Sequence, residues 1–395
     1  MASVLSQPTP QSPTPPTRGL PWPGGKSPGR VARISAFTAT AVALSLPLIA
    51  LAVWANSKGF VAPTMQYVHA RAATAARGPG LSHLQYVYPP LPVLLSLILP
   101  GGPLALSIVT CLFSGTMLAY MLWQAPSPWA LALLAPLVAV PAMWFIGSQL
   151  LPQVVAISFL AVALQGFIRF SAYGETYGGF IAGLALAVSY SADPAALLYA
   201  GVMCVFVFLT GAARYRGHIE APVGVCAVLV FPCVAMAACW SFLLWKFTGN
   251  WPGNLDYSPN AHVLAFPQGV LPGLGNALVA AAADLVRAML YPMAAALVAI
   301  RRRTRLFGVG LVLPVLALAV ARWLGFDYSP VNAYFTLTVL AVTVIIENRL
   351  LGSGRYRWIY RWILIAAVIA QVVIAVAVWP PTSIGFDAWR HELFG

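Results

Sequence analysis

Charged residues are scarce in this chain, and acidic residues are the scarcest. Only 8% of the 395 residues are charged, and nine Asp and Glu stand against 22 Lys and Arg. A soluble domain carries roughly 25% charged residues, so this composition excludes an ordinary soluble enzyme. No acidic residue occurs before Glu175, which leaves the first part of the chain without a carboxylate base.

Cysteine is sparse as well, and the positions of the cysteines argue against disulfide bonds and metal binding. All five cysteines fall inside apolar stretches, so no extracellular disulfide framework is expected. Cys226 and Cys233 share a helical face, but no His or second close Cys completes a metal set. We expect the cysteines to pack as small apolar side chains. They are Cys111, Cys204, Cys226, Cys233 and Cys239.

Apolar residues make up 60% of the sequence, and their long runs determine the fold class. A run of about 20 apolar residues is long enough to cross a membrane as a helix. The pattern predicts an all-α polytopic integral membrane protein with about 11 transmembrane helices. The predicted spans are 34–54, 104–123, 129–145, 152–170, 177–189, 195–209, 223–245, 277–300, 306–324, 331–346 and 358–379. The first run is too long for a cleaved signal peptide, which favours a retained helix.

The regions outside the spans have different characters. Residues 1–30 are rich in Pro, Ser and Thr, a composition typical of a disordered tail. Residues 31–379 form the predicted transmembrane domain, with outer loops at about 55–103 and 247–276. Residues 380–395 form a predicted outer C-terminal tail.

One apolar segment, at 87–100, is left out of the count because it is short and rich in proline. Runs of this length are more often interfacial or re-entrant than spanning. Leaving it out places 15 of the 22 Lys and Arg in the cytoplasm and the other seven elsewhere, as the positive-inside rule requires. This topology puts the N-terminus in the cytoplasm, and the +13 charge then needs no nucleic-acid partner. A plasma (inner) membrane is the expected location.

Some ionisable residues are predicted near or inside the spans, where charges are costly. Asp284 and Arg287 lie three residues apart on one helix, which favours a local ion pair. Arg322 lies near a water interface, and Asp193 precedes Pro194 in a short turn, where it fits a helix N-cap.

Three sequence features together resemble a known family over residues 34–345. They are Tyr88-Pro89-Pro90-Leu91 in the first outer loop, the glycine-rich stretch 178–185 followed by Asp193-Pro194, and the stretch 245–252, which reads WKFTGNWP. Their order resembles that of the GT-C superfamily, the polytopic glycosyltransferases that use lipid-phosphate sugar donors. Protein mannosyltransferases and lipid A aminoarabinose transferases belong to it.

The resemblance implies transfer of a sugar from a polyprenyl-phosphate donor to a glycan, lipid or protein acceptor on the outer face of the membrane. Such a reaction needs a base for the acceptor hydroxyl and a cation for the departing phosphate. The family places an acidic residue in the first outer loop, which this chain lacks. The remaining candidate bases are His69, His83, Asp256 and Asp327. The candidate substrate-binding residues are Arg71, Arg77, Tyr88, Lys246 and Arg322.

Neither a metal nor a cofactor is expected, and two other functions stay open. A non-catalytic membrane protein could use the same scaffold to bind lipid or glycan, and the missing acid favours that reading. A transporter would be expected to show paired halves with interrupted helices, and no internal repeat is apparent.

Overall fold

The computed structural model describes residues 30–78, 80–125, 133, 135–173, 176–214, 220–249, 273–300, 305–324, 330–347, 357–378 and 384–394. These residues form helices and no strand, so the all-helical prediction is confirmed for them. A 3₁₀ helix, Gly80–Tyr86, follows α2, and a π-helical stretch, Ile374–Val378, continues α15. The α-helices are α1 (Arg30–Ser57), α2 (Pro63–Arg77), α3 (Pro90–Ile98), α4 (Gly102–Gln124), α5 (Pro141–Gln149), α6 (Leu151–Tyr173), α7 (Thr176–Ala192), α8 (Ala196–Arg214), α9 (Glu220–Thr248), α10 (Leu274–Arg287), α11 (Leu290–Ile300), α12 (Arg305–Gly310), α13 (Leu313–Trp323), α14 (Pro330–Ile346), α15 (Arg357–Val373) and α16 (Ile384–Phe394).

Five of the described helices, α1, α4, α6, α9 and α15, are long and apolar enough to cross a membrane, as expected of an integral membrane protein. The bent pair formed by α10 and α11 makes a sixth if it is one span, and the shorter apolar helices are Tyr177–Ala192, Ala196–Phe208, Phe307–Trp323 and Val331–Ile346. The count of 11 therefore stays a prediction. Within the predicted span 129–145, a turn at 139–140 precedes Pro141, which starts α5 because proline has no amide hydrogen to continue a preceding helix.

Small residues bring the first two long helices together in antiparallel directions. Gly115 of α4 approaches α1 so closely that an added Cβ would lie 2.0 Å from Ser45 Oγ. Nearer the start of α1, Phe37 contacts Trp123 with ring centroids 5.8 Å apart. Close approach at small residues is the usual basis of helix packing in lipid.

The glycine-rich stretch 178–185 also lets helices approach closely. A Cβ on Gly178 of α7 would lie 2.6 Å from the Gly166 oxygen of α6, and a Cβ on Gly183 would lie 2.8 Å from the Leu229 oxygen of α9. The stretch therefore joins α7 to two neighbouring helices by backbone contact.

The helices differ in how much of their surface the protein covers. In α6, 83% of the 18 residues of the apolar stretch are buried inside the protein, whereas the corresponding share is 17% in α1 and in α9. The central helix α14 packs against α6 and is buried along its length. Apolar side chains on α1 and α9 are exposed, as expected for helices that face lipid.

The first predicted outer loop folds onto the bundle as α2, the 3₁₀ helix and α3, which we call the cap. Helix α3 has nine residues, so it is only about 14 Å long and cannot cross a bilayer core of about 30 Å. Its exposed side chains include Leu94, Leu97 and Ile98, which extend the apolar surface to the edge of the cap.

Two neighbouring helices are interrupted, and side chains satisfy the backbone at each break. The α10–α11 pair bends by 88°, and the Leu290 backbone N–H after this bend donates to Gln371 Oε1 at 2.9 Å. Tyr291 donates its hydroxyl to the oxygen of Leu311, between α12 and α13, at 2.6 Å. The interrupted helices are therefore fixed parts of the bundle, as membrane-embedded backbone requires.

The bundle has two ends with different composition. The cap end carries the cap together with the last turns of α1, α7, α9 and α13. The other end, which we call the basic end, carries Arg33, Arg169, Arg305 and Arg361 among the described residues. Exposed tryptophans mark both ends, with Trp54, Trp245 and Trp323 at the cap end and Trp358 and Trp362 at the basic end. Tryptophan is enriched at membrane–water interfaces, so the two sets are consistent with a bundle that crosses the membrane.

Candidate functional site

All of the predicted site residues that the structure describes lie at the cap end. The cap contributes His69, Arg71, Arg77, His83 and Tyr88, while Lys246 ends α9 and Arg322 ends α13. Asp256 and Asp327 lie outside the described residues. Most of the predicted side chains contact partners that the sequence did not single out.

His69 lies where α2, α3 and the start of α4 meet. Its Nδ1 is 3.4 Å from Ser96 Oγ of α3, and the side chain is half-buried. On the side toward α4, a Cβ added to Gly102 would lie 3.6 Å from the imidazole ring. The cap therefore holds a proton acceptor beside a hydroxyl group.

Arg71 of α2 joins this helix to the 3₁₀ helix of the cap. Its Nη1 donates to Tyr67 Oη at 2.5 Å, its Nη2 donates to the Gln85 oxygen at 3.0 Å, and its Nε donates to the Tyr86 oxygen at 3.3 Å. The guanidinium carbon lies 5.2 Å from the centroid of the Tyr67 ring. Because each of its nitrogens bonds to the protein, Arg71 has a structural role in joining α2 to the 3₁₀ helix.

Three other predicted residues lie nearer the surface. Arg77 and Lys246 are exposed, and each belongs to the last turn of its helix, where the helix dipole stabilises a positive charge. The ring of His83 packs over Gly78, because a Cβ there would overlap the ring at 2.0 Å. Arg77 and Lys246 are thus the predicted phosphate contacts that a ligand can reach.

A buried tyrosine pair connects the cap to α7, and an acidic residue follows it. The Tyr88 hydroxyl donates to Tyr190 Oη at 3.5 Å. Three residues beyond Tyr190, Asp193 Oδ1 accepts from the Ala195 backbone N–H at 2.9 Å, which confirms a helix-start role. Burial raises the pKa of the Asp193 carboxyl to about 6, although this hydrogen bond opposes the shift. The sequence indicated the turn, but the raised pKa depends on neighbours that only the fold supplies.

Arg322 belongs to a buried charge cluster with two residues of α10. Its Nη2 donates to Asp284 Oδ2 at 2.8 Å, and Arg287 Nη1 donates to Asp284 Oδ1 at 2.9 Å. The Asp284 side chain is 1% exposed, that of Arg322 is 5% exposed and that of Arg287 is 27% exposed. The predicted pair of Asp284 and Arg287 is confirmed, and Arg322 completes the cluster from α13.

A second polar cluster lies at the basic end, and the sequence did not identify it. Glu347 Oε1 accepts from Gln165 Nε2 at 2.9 Å and from Arg169 Nε at 3.4 Å. Tyr120 in turn donates its hydroxyl to Gln165 Oε1. These contacts join α4, α6 and the end of α14, and the Glu347 side chain is 1% exposed. The cluster is a structural link between central helices.

No metal site is found in the described part of the chain, and one apolar cavity there is small. No three of its His, Cys, Asp and Glu side chains are grouped in a way that could hold a metal ion. An apolar cavity of about 60 Å³ lies between α4, α5 and α14, lined in part by Met117, Met121 and Met143. A benzene-sized molecule needs a cavity of about 150 Å³, so this space is too small for a sugar.

The chemistry available at the cap end consists of proton acceptors, exposed cations and buried hydroxyl groups. His69 and Asp193 can accept protons, and Arg77 and Lys246 can meet an anion. Comparison of the chain with protein-family models, with curated proteins and with solved structures finds no match.

Proposed function

We propose that this protein is a membrane glycosyltransferase of the GT-C type, which transfers a sugar from a polyprenyl-phosphate donor to an acceptor hydroxyl at the cap end. The observation that carries the proposal is the position of Asp193, three residues after Tyr190, which bonds to Tyr88 of the cap. Burial raises the pKa of the Asp193 carboxyl to about 6. It lies at the end of the bundle that also carries His69, Tyr88 and the exposed cations. A base is most effective when its pKa is near the working pH.

The reaction requires a base for the acceptor proton and a cation for the departing lipid phosphate. The acceptor oxygen attacks the anomeric carbon, and the bond from that carbon to the phosphate oxygen breaks. The base receives the acceptor proton, while the electron pair of the broken bond leaves with the lipid phosphate. At neutral pH Asp193 is mostly ionised and can take the proton, and His69 is the second candidate. Arg77 and Lys246 are exposed cations suited to the departing phosphate.

The proposal includes the finer topology. Eleven spans, a cytoplasmic N-terminus and a plasma-membrane location would place the cap end outside. The positive-inside rule supports this orientation, because the described basic end carries several arginines of the predicted cytoplasmic set. The substrate lipid would then reach the site from the outer leaflet.

The test is a donor-consumption assay on the full-length protein in lipid nanodiscs. A panel of polyprenyl-phosphate pentoses and hexoses is supplied with membrane extract as the source of acceptor, and release of polyprenyl phosphate is measured. Asp193→Asn should lower the rate about 100-fold or more, the usual contribution of a general base. Asp387→Asn, at a partly exposed carboxylate of α16, is the matched control and should leave the rate unchanged. Wild-type rates in Asp193→Asn would remove Asp193 as the base.

A second function, lipid or glycan binding without transfer, is favoured by a different observation. Arg71 and Arg322, two of the four predicted phosphate cations, are engaged by protein groups. If the wild-type protein binds donor lipids from the panel but consumes none, the non-catalytic function replaces the enzyme.

A further inference from the structure

Arg287 is an arginine with one protein partner in an apolar setting. Within the described residues, its hydrogen bonding and ion pairing are to Asp284 alone, through Nη1 at 2.9 Å. The other Asp284 oxygen is taken by Arg322. The side chain is 27% exposed, so part of it lies at the surface of the bundle.

The surface around Arg287 explains why this exposure is costly. The exposed large side chains of α10 are apolar and include Leu278, Val279 and Val286. The opposite face, with Ala277, Ala281 and Asp284, is buried in the protein. An arginine beside a lipid-facing apolar surface is expensive unless an anion meets it. Asp284 compensates the charge of Arg287 only in part, because the same carboxylate also pairs with Arg322.

The backbone next to Arg287 is anchored to other helices. Arg287 is the last residue of α10, immediately before the 88° bend. After the bend, the Leu290 N–H donates to Gln371, and Gln371 Nε2 donates to Thr338 Oγ1 of α14 at 2.7 Å. A chain of hydrogen bonds thus anchors the bend to α14 and α15. The side chain is itself restrained by its hydrogen bond to Asp284, so it loses less freedom when a ligand binds.

We propose that Arg287 binds the phosphate group of an anionic membrane lipid or a free phosphate ion, beside Asp284 at the end of α10. The planar guanidinium fork matches two phosphate oxygens, and arginine is suited to such contacts at partly desolvated sites. This inference goes beyond the proposed glycosyl transfer and holds whether or not a sugar is transferred. It adds a cation that the sequence assigned only to a local ion pair.

Native mass spectrometry of the full-length protein tests the proposal without any enzyme assay. The protein is purified from nanodiscs of phosphatidylcholine mixed with phosphatidic acid, and the lipid that it retains is counted. Wild type should retain phosphatidic acid in preference to phosphatidylcholine. Arg287→Gln should weaken phosphatidic acid binding about tenfold, because a hydrogen bond to a charged group contributes roughly 1.5 kcal/mol or more. Arg287→Lys keeps the charge without the fork and should bind with intermediate affinity.

The matched control is Arg390→Gln. Arg390 also pairs with an aspartate three residues earlier, at 3.0 Å, but its side chain is 47% exposed. This substitution should leave lipid retention at the wild-type level. Thermal unfolding shows whether each variant is folded. If Arg287→Gln does not fold, the test compares the phosphatidic acid retained by Arg287→Lys with that retained by wild type.

Excess inorganic phosphate distinguishes the two sources of the ligand. Displacement of phosphatidic acid assigns the site to free phosphate, whereas retention assigns it to a lipid headgroup. The proposal is overturned if wild type shows no preference for phosphatidic acid. It is also overturned if folded Arg287→Gln, or Arg287→Lys where Gln fails to fold, retains that lipid as well as wild type.

Discussion

The guanidinium of Arg322 donates to the carboxylate of Asp284 across 2.8 Å, and both side chains are buried. Asp284 belongs to α10 and Arg322 to α13, and each of these helices is one half of an interrupted pair. The ion pair therefore joins two interrupted helices at the cap end. Removing one buried partner is costly because the other charge is left without compensation.

Asp284→Asn should lower the free energy of unfolding by about 3–5 kcal/mol, since it leaves Arg322 and Arg287 without their shared carboxylate. Asp387→Asn removes a partly exposed aspartate that also pairs with an arginine three residues later, and it should cost about 1 kcal/mol or less. Unfolding of both variants in mixed detergent measures the difference. Equal losses would show that the Asp284 pairs contribute no more than a surface pair.

Gly166→Ala should destabilise the protein by about 1–3 kcal/mol, because it overpacks the contact between α6 and α7. The nearest atom to the added Cβ would be the Gly178 oxygen at 2.6 Å. Gly201→Ala in α8 is the control, since nothing lies within 4 Å of its added Cβ. That substitution should be neutral or stabilising by roughly 0.5–1 kcal/mol, because alanine favours a helix. If thermal unfolding gives both variants the same midpoint, the close packing of α6 and α7 is not required.

Asp193 should make stability depend on pH in a defined direction. Its pKa is raised by burial from an ordinary value of 3.8 to about 6, so the folded protein binds this proton more tightly than the unfolded chain does. The contribution of Asp193 to the free energy of unfolding therefore falls as the pH rises from about 4 to about 6, and it stays lower above that range.

Asp193→Asn removes this charge while its amide oxygen can still accept from the Ala195 N–H. The variant should unfold at a higher temperature than wild type above pH of about 6, and the difference should shrink as the pH falls toward 4. Thermal unfolding of both proteins across this range is the measurement. A difference that stays constant with pH would contradict the raised pKa.

Single cysteines at Arg77 and Arg305 should react from opposite sides of the membrane. Both positions are exposed, one at the cap end and the other at the basic end. In a background with the native cysteines replaced, a membrane-impermeant maleimide applied to intact cells should label only the Arg77 site. Labelling of both sites in intact cells, with the membrane shown to be sealed, would overturn the proposed topology.

Several features of the fold were predictable because they depend on local properties. Hydropathy and length predicted the long apolar helices, but not α2 or α16, which lie in a predicted loop and a predicted tail. Proline content and short length predicted that 87–100 is interfacial or re-entrant, and the nine-residue α3 lies within it. The pairing of Asp284 with Arg287 followed from their spacing on one helix. The interruption between α10 and α11 was not predicted, because the run from 277 to 300 is apolar enough to suggest one span despite Asp284 and Arg287.

The candidate site was predictable in composition but not in its contacts. The sequence placed His69, Arg71, Arg77 and Tyr88 in one loop, and the structure describes them at one end of the bundle. That Arg71 is engaged by Tyr67 and by two carbonyl groups of the 3₁₀ helix could not be read from the sequence, because these contacts depend on how the cap folds back.

The sequence by itself determined that the protein is helical and apolar, and that its basic residues are unevenly distributed, because these are properties of composition and local order. Only the tertiary structure decided which charges pair between different helices. Arg322 reaches Asp284 from another helix, and Glu347 meets Gln165 and Arg169 from a distant part of the chain. The same is true of Gly178, which contacts Gly166. The physical reason is that ion pairs and backbone contacts act over a few ångströms between helices, whereas sequence patterns report the preferences of one helix at a time.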